Sequence, residues 1–138
     1  GRGVDYAVAM EGSLKMKEIS YIHSEAMPAG ELKHGTLALV TEGTPVITVL
    51  TQGEVYDKTV SALMEVKARG AHTVAVAYED DPDAAKHADE VIRIPRVPDL
   101  LSPVLSAIPL QLLAYHVADA RGHDIDQPRN LAKSVTVE

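Results

Sequence analysis

Residues 45–77 read PVITVLTQGEVYDKTVSALMEVKARGAHTVAVA, and this stretch decides the fold. Its two ends, 45–50 and 72–77, are short runs rich in β-branched residues, which predicts two buried strands. Between them, residues 54–69 have apolar side chains at helical spacing and stop at Gly70, a typical residue just after a helix. A strand, a helix and a second strand in this order predict parallel strands joined by a right-handed crossover.

The sequence on either side extends the same pattern. Residues 90–95 predict a third short strand, and Ser102 is a candidate N-cap for a helix over 102–121 that Pro109 should bend. We therefore expect an α/β protein, a three-layer α/β/α sandwich with a parallel sheet. Residues 1–3, Gly-Arg-Gly, resemble a turn that joins a strand to a helix. The fold apparently lacks its first strand, which we expect upstream in a larger protein.

Composition limits the classes of function. A length of 138 residues favours one domain, and a net charge of −7 with 46% hydrophobic residues argues against a nucleic-acid binder or a disordered segment. The absence of cysteine excludes disulfides and thiol catalysis and agrees with a cytoplasmic location. No signal peptide is recognised, and no apolar run is expected to reach the roughly 18 residues of a membrane span. The six histidines show no metal-ligand spacing, so no metal site is predicted.

The predicted first helix, 5–22, carries charges in an unexpected place. Helical spacing puts Glu11, Lys15 and Glu18 in the middle of its apolar face and leaves Lys17 as the only charge on the opposite side. One interpretation is a surface Glu-Lys pair, worth about 0.2–0.5 kcal/mol. The other is a cleft wall with two carboxylates and an ammonium group within about 10 Å of axial rise, which is suitable for acid-base chemistry. The apolar face comprises Ala7, Val8, Leu14, Ile19 and Ile22, and the opposite side Ala9, Ser13, Met16 and Ser20.

Two further residues are candidates for a site. His34 precedes Gly35, which would let a ligand or another backbone approach closely, although a surface or capping histidine is equally compatible. Lys133 stands between Ala132 and Ser134 in an apolar tail. A lysine with the reference pKa of about 10.4 is a poor nucleophile until burial or neighbouring groups lower that pKa, so a solvated lysine is the alternative.

Three segments resemble the carboxyl-terminal part of the glutamine:fructose-6-phosphate aminotransferase family. They are KEISYIHSEAMPAGELKHG (17–35), PLQLLAYHVADARG (109–122) and DQPRNLAKSVTVE (126–138), of which the last is the most specific. Thr36 stands where many members have proline. The resemblance implies that residues 1–122 form the second sugar-isomerase (SIS) subdomain, with a flavodoxin-like fold, and that 123–138 form a catalytic tail. The first SIS subdomain and the glutaminase domain would be missing, so we expect the fragment alone to be inactive.

The resemblance also implies roles for residues. The family makes glucosamine 6-phosphate from fructose 6-phosphate and glutamine-derived ammonia without a cofactor. Lys133 matches its Schiff-base lysine, Glu18 the carboxylate that moves a proton between C1 and C2, and His34 a ring-opening histidine supplied by the neighbouring subunit of a homodimer. Glu11 and Lys15 match charged residues of the same pocket, and Ala132 is expected to contact the sugar. The alternatives are a phosphosugar sensor without catalysis and a structural dimerisation domain.

Overall fold

The three predicted strands pair in parallel at the centre of the molecule. In the computed structural model, which describes residues 1–129 and 131, the sheet order is β1-β2-β3. Pro45 of β1 pairs with His72, and Val74 of β2 pairs with Glu90. The strand predictions are confirmed, although β2 is one residue longer than expected and β3 one residue shorter. The strands are β1 (Pro45–Leu50), β2 (His72–Tyr78) and β3 (Glu90–Ile94).

Helices connect the strands and cover both faces of the sheet. Gly70 and Gly122 adopt positive φ values of 85° and 71° just after α2 and α4, in the left-handed region that glycine enters without steric cost. The helices are α1 (Val4–Lys15), α2 (Tyr56–Lys67), α3 (Ala84–His87) and α4 (Ser102–Ala120); a π-helical turn (Met16–Ser20) follows α1, and short 3₁₀ turns occur at Leu32–His34, Thr36–Leu39, Gly53–Val55 and Asp99–Leu101.

Two apolar cores, one on each face of the sheet, confirm the three-layer sandwich. On one face, Val49 and Val76 of the sheet pack with Val8 of α1 and Leu110 of α4. On the other face, the sheet packs against α2, α3 and the turn around Leu37. Adjacent strand residues supply opposite cores because side chains alternate along a strand. The second core contains Leu37, Leu50, Leu63, Val66, Ala71, Ala75, Ala77, Ala84 and Ala88.

The buried side of α1 and its π-helical turn is largely opposite to the predicted one. Ser13 and Ser20 are buried, whereas Leu14 is 43% exposed. A methyl group at Gly12 would lie 2.6 Å from Leu110 Cδ1, so α1 and α4 approach too closely for large side chains between them. Small residues therefore line the contact. Of the five residues predicted to face the core, only Val8 is fully buried.

Ser102 does not cap α4 as predicted. It is the first helical residue, its hydroxyl donates to the Asp99 carbonyl oxygen at 2.8 Å, and it accepts a hydrogen bond from Gln52 Nε2 at 2.9 Å. The hydroxyl therefore joins α4 to the loop after β1. The helix itself runs through Pro109 to Ala120, as expected.

Both outer edges of the sheet are unpaired among the described residues, and the edge of β1 borders a cavity. Within residues 1–129 and 131, no strand pairs with the outer edge of β1. A cavity of about 310 Å³ extends along this edge between α1 and α2, lined by Ala9 and Gly12 on one side and Ala62 on the other. The first strand that the sequence appeared to lack would fit at this edge, and its existence stays a prediction.

Helix α4 and the turn before it are more apolar than the sequence analysis allowed. Residues 99–120 have the length and mean hydropathy, 1.5, of a membrane-spanning helix, so the expectation of no such segment is wrong by these two criteria. A core helix of a soluble protein meets the same criteria. Ser106 and Ala114 pack inward, and Val104 and Leu112 are exposed on the outer side.

Candidate active site

Glu11, Lys15 and Glu18 form a compact charged cluster at the end of α1 and in the π-helical turn. Lys15 Nζ lies 2.6 Å from Glu18 Oε2 and 3.6 Å from Glu11 Oε1. The side chains are 41%, 34% and 26% exposed for Glu11, Lys15 and Glu18, so the cluster is on the outer side of the helix and not in its buried face. The predicted proximity is correct, and the predicted burial is wrong because α1 turns its small residues inward.

Lys15 is held in its charged form by the two carboxylates. The hydrogen bond to Glu18 is the main reason why the pKa of Lys15 is raised above its ordinary value, and the charge of Glu11 adds to the effect. Lys15 is therefore a cation at neutral pH that can orient Glu18 or neutralise an anionic group beside it. It is unsuited to act as a nucleophile in this arrangement.

The cluster lies far from the carboxyl ends of the strands, where ligands of open α/β sheets usually bind. Asp5 bonds to Thr51, directly after β1, and so fixes the start of α1 at that end. Glu18 follows Asp5 by thirteen residues, which corresponds to about 20 Å along a helix axis. The candidate acid-base residues are thus at the opposite end of α1 from the expected ligand mouth.

The residues after α4 return to the chain beside Glu18. Tyr21, three residues after Glu18, contacts both His123 and Arg129 of the tail. Its hydroxyl accepts a hydrogen bond from the Arg129 backbone N–H at 2.8 Å. The structure therefore places His123 and Arg129 of the tail against Tyr21, which follows the charged cluster in the chain. Ala132 and Lys133 lie outside the described residues.

His34 is exposed and separate from the charged cluster in the chain. It ends the 3₁₀ turn Leu32–His34, and its backbone N–H donates to the Glu31 carbonyl oxygen at 3.0 Å. A methyl group added at Gly35 would meet no atom within 4 Å. The space beside the His34-Gly35 pair is thus open to another molecule, as the sequence analysis expected of this glycine.

The carboxyl ends of the strands hold a different set of polar residues. A cavity of about 210 Å³ there is bordered by Asp80, Asp81 and Arg96. Asp80 pairs with Arg96, whose guanidinium also stacks on the Tyr78 ring at 4.2 Å. The acidic rim is unfavourable for a phosphate group. Over the described ranges, 1–129 and 131, no three His, Asp or Glu side chains are grouped closely enough to hold a metal ion.

Sequence reasoning missed Asp5, which is the most buried acidic residue at this end. It is 2% exposed, and its carboxylate accepts hydrogen bonds from the Thr51 N–H at 2.8 Å and the Thr51 hydroxyl at 2.5 Å. Backbone N–H groups at the start of the turn before α2 are the kind that hold anions in α/β folds. The Asp5 carboxylate occupies one of them here, the Thr51 N–H. An acid in the first turn of a predicted helix was the available signal.

Comparison with known proteins identifies the fold. Residues 1–120 match the SIS domain family. The chain belongs to this family. Over all 138 residues it is also 57% identical to the glutamine–fructose-6-phosphate aminotransferase [isomerizing] of Symbiobacterium thermophilum and 62% identical to that of Caldanaerobacter subterraneus. The SIS domain and its tail span only 23% of the length of each of these relatives.

Solved structures agree with this assignment. The C-terminal domain of glucosamine-fructose-6-phosphate aminotransferase from Francisella tularensis superposes with a TM-score of 0.87 at 47% identity, over 92% of this chain and 36% of that one. Glucosamine-6-phosphate deaminase from Thermotoga maritima gives a TM-score of 0.78 at 30% identity, over 99% of this chain and 39% of that one. The SIS domain is therefore similar to one part of larger phosphosugar-associated proteins.

Proposed function

We propose that this SIS domain and its tail are the carboxyl-terminal part of a glutamine:fructose-6-phosphate aminotransferase and carry part of its isomerase site. One observation supports the proposal above all: identity of 57–62% to relatives of that name covers the complete chain, including the tail with Lys133. The longer protein would be cytoplasmic and would convert fructose 6-phosphate and ammonia to glucosamine 6-phosphate. The ammonia would come from glutamine through a domain outside these residues.

The chemistry that we propose needs a lysine and a carboxylate. The Lys133 amine attacks C2 of the open-chain ketose and water leaves, which gives an iminium that makes the C1 hydrogens acidic. Ammonia then adds to C2 and the Lys133 amine leaves, so the C2 imine nitrogen comes from ammonia and the lysine is free again. Glu18 takes a C1 proton and returns it to C2, and C1 becomes the aldehyde as its hydroxyl loses a proton. Lys15, 2.6 Å from Glu18, holds that carboxylate in place, and Glu11 shares the ammonium group from 3.6 Å. Ala132 would contact the sugar beside Lys133.

The experiment that tests the lysine uses the longer protein that contains this chain. Borohydride added with fructose 6-phosphate should attach the sugar to Lys133, because it reduces an imine to a stable amine. Lys133→Arg keeps the charge and cannot form the imine, and Lys86→Arg, on the surface at α3, serves as the matched control. Equal labelling of Lys133→Arg and wild type would contradict the assignment.

We also propose that the 138-residue chain is inactive alone. The Thr51 amide after β1 is occupied by Asp5, and the neighbouring cavity has an acidic rim, so neither supplies a grip for the sugar phosphate. Remote binding groups such as a phosphate hold a substrate in its reactive geometry. Fructose 6-phosphate titrated into the chain with free ammonia should give neither submillimolar binding nor product. Binding without product would favour the phosphosugar sensor.

A further inference from the structure

Tyr21 has a backbone conformation that its residue type disfavours. It follows the π-helical turn and adopts φ 59°, ψ 22°, the left-handed region. No other non-glycine residue in 1–129 or 131 has a positive φ. Side chains with a Cβ enter this region at a steric cost, and such residues concentrate at functional sites. Something other than backbone preference therefore holds a tyrosine at this position.

The side chain of Tyr21 makes three contacts with the tail. Its hydroxyl accepts the Arg129 N–H at 2.8 Å, although the two residues are 108 positions apart. The Arg129 guanidinium stacks over its ring at 4.1 Å, and the His123 ring packs against it at 4.7 Å. One tyrosine thus fixes both ends of the segment 123–129. Within that segment, the Asp124 carboxylate accepts the N–H groups of Asp126 and Gln127.

The contacts of Tyr21 link the two parts of the chain that carry the proposed chemistry. Tyr21 is three residues after Glu18, and Arg129 is four residues before Lys133. Four residues span at most about 14 Å when fully extended. Holding Arg129 on Tyr21 therefore limits Lys133 to that distance from Arg129, which itself lies against a residue three positions after Glu18. A tail released from Tyr21 has no such restriction.

We propose that Tyr21 is a positioning residue that holds the carboxyl-terminal tail beside the Glu18 helix and so presents Lys133 to the bound sugar. The inference rests on the proposed function for the roles of Lys133 and Glu18. The docking of the tail rests on contacts alone. The docking of the tail and the positioning of Lys133 can be tested separately.

The first experiment measures tail docking in the 138-residue chain, without any substrate. Trypsin cleaves after Arg129, and the rate of local cleavage reports how often that segment opens. Tyr21→Gly relieves the left-handed strain and removes the side chain, so the fold should be kept while cleavage after Arg129 rises about tenfold or more. Tyr21→Phe, which keeps the stacking and loses the hydrogen-bond acceptor, should give a smaller rise.

Two references make this experiment specific. Cleavage after Arg69, at the end of α2, should not change in any variant. Tyr115→Gly would itself damage α4, so the matched control is Tyr115→Phe, an exposed position on that helix that should leave all rates unaltered. Cleavage after Arg129 that is equal in wild type and Tyr21→Gly would overturn the proposal, since the tail would then be free or held by other contacts.

The second experiment tests positioning in the longer protein that contains the chain. Tyr21→Phe should lower kcat about tenfold and leave KM within about twofold, because the sugar is bound elsewhere and only the lysine is misplaced. The rate of borohydride trapping at Lys133 should fall in parallel. Tyr21→Gly should lower both rates further.

The outcomes separate the two proposals. If wild type itself gives no sugar adduct at Lys133, the proposed role of that lysine is wrong, while the trypsin rates still report tail docking. If wild type is trapped, and Tyr21→Gly frees the tail without slowing trapping, the proposed function stands and positioning by Tyr21 is overturned.

Discussion

Asp5 is a buried carboxylate whose ionisation should be visible in the stability of the protein. Burial raises its pKa, and the hydrogen bonds from Thr51 oppose the rise without cancelling it. A raised pKa means that the folded state binds the proton more tightly than the unfolded state does. The contribution of Asp5 is therefore fully present below the unfolded pKa and is lost as the pH rises through the folded one.

We accordingly expect Asp5→Asn to remove that part of the pH dependence. Asparagine can still accept from the Thr51 N–H and carries no charge at any pH. The free energy of unfolding of the variant, relative to wild type, should increase as the pH rises through the pKa of Asp5. Urea unfolding from pH 3 to pH 8 measures this, with Asp57→Asn, at the start of α2, as a control for a surface acid. A constant difference between variant and wild type would contradict the expectation.

The role in proton transfer that we propose for Glu18 can be tested by removing its charge. In the longer protein, Glu18→Gln should leave sugar binding nearly intact and slow hydrogen exchange at C1 by about 10²–10⁴-fold, the usual range for general-base catalysis. Deuterium incorporation into fructose 6-phosphate measures the rate. Glu54→Gln, an exposed position before α2, provides the control. Undiminished exchange in Glu18→Gln would exclude Glu18 as the base.

At the scale of residues, sequence spacing predicted local contacts only. Glu11, Lys15 and Glu18 are three and four positions apart, and helix geometry alone brings such residues together. The contact of Asp5 with Thr51 spans 46 positions, and that of Tyr21 with Arg129 spans 108. No periodicity encodes such pairs. A left-handed tyrosine also has no signature in sequence, because the usual signal for that conformation is glycine.

At the scale of elements, α1 shows where pattern reading fails. Large apolar residues were expected to face the core, yet the helix approaches α4 at Gly12 and buries Ser13. Where two helices approach closely, the size of a side chain can decide whether it is buried even when it is polar, provided that a buried hydroxyl makes a hydrogen bond. The Ser13 hydroxyl meets this condition by donating to the Ser24 carbonyl oxygen at 2.8 Å. The strands were predicted to within one residue at their ends because β-branched runs are an unambiguous signal.

The free edge of β1 should be visible in hydrogen exchange. The His72 N–H donates to the Thr44 carbonyl oxygen. Because every second residue of a parallel strand directs its N–H and C=O groups to the same neighbouring strand, the N–H groups of Thr48 and Leu50 point to β2. The backbone N–H groups of Ile47 and Val49 then point away from β2, toward the cavity. We expect their amide hydrogens to exchange faster than those of Thr48 and Leu50, even though Val49 is fully buried.

Adding the missing strand should reverse this difference. We consider a segment of alternating valine and threonine fused before Gly1, which would pair in parallel with β1. It should slow hydrogen exchange at the Ile47 and Val49 amides about tenfold or more, because these amides gain hydrogen-bond partners. A fusion of the same length with proline at alternate positions is the control. Equal protection of all four amides in the unextended chain would show that the edge is already satisfied.

At the scale of the whole molecule, the α/β sandwich was predictable because alternating strands and helices allow few arrangements. The proposed site was less predictable, because its parts would come from α1, from the tail and, as the resemblance implies, from a second subunit. His34 is the test of that last part. Mixing His34→Ala and Lys133→Ala chains of the longer protein, each inactive, should restore activity in mixed dimers, where one site has both residues intact. Mixed dimers without activity would place His34 within its own site.

The open edge of the sheet also affects how copies of the chain behave together. Natural sheets protect an unpaired strand with charges, bulges or covering segments, since its amides and carbonyls are otherwise a template for aggregation. Strand β1 carries Pro45 at its exposed start and no charged residue along its length. We expect the chain on its own to aggregate slowly at high concentration through this edge. A designed strand that fills the cavity would then act as a solubilising element as well as a structural one.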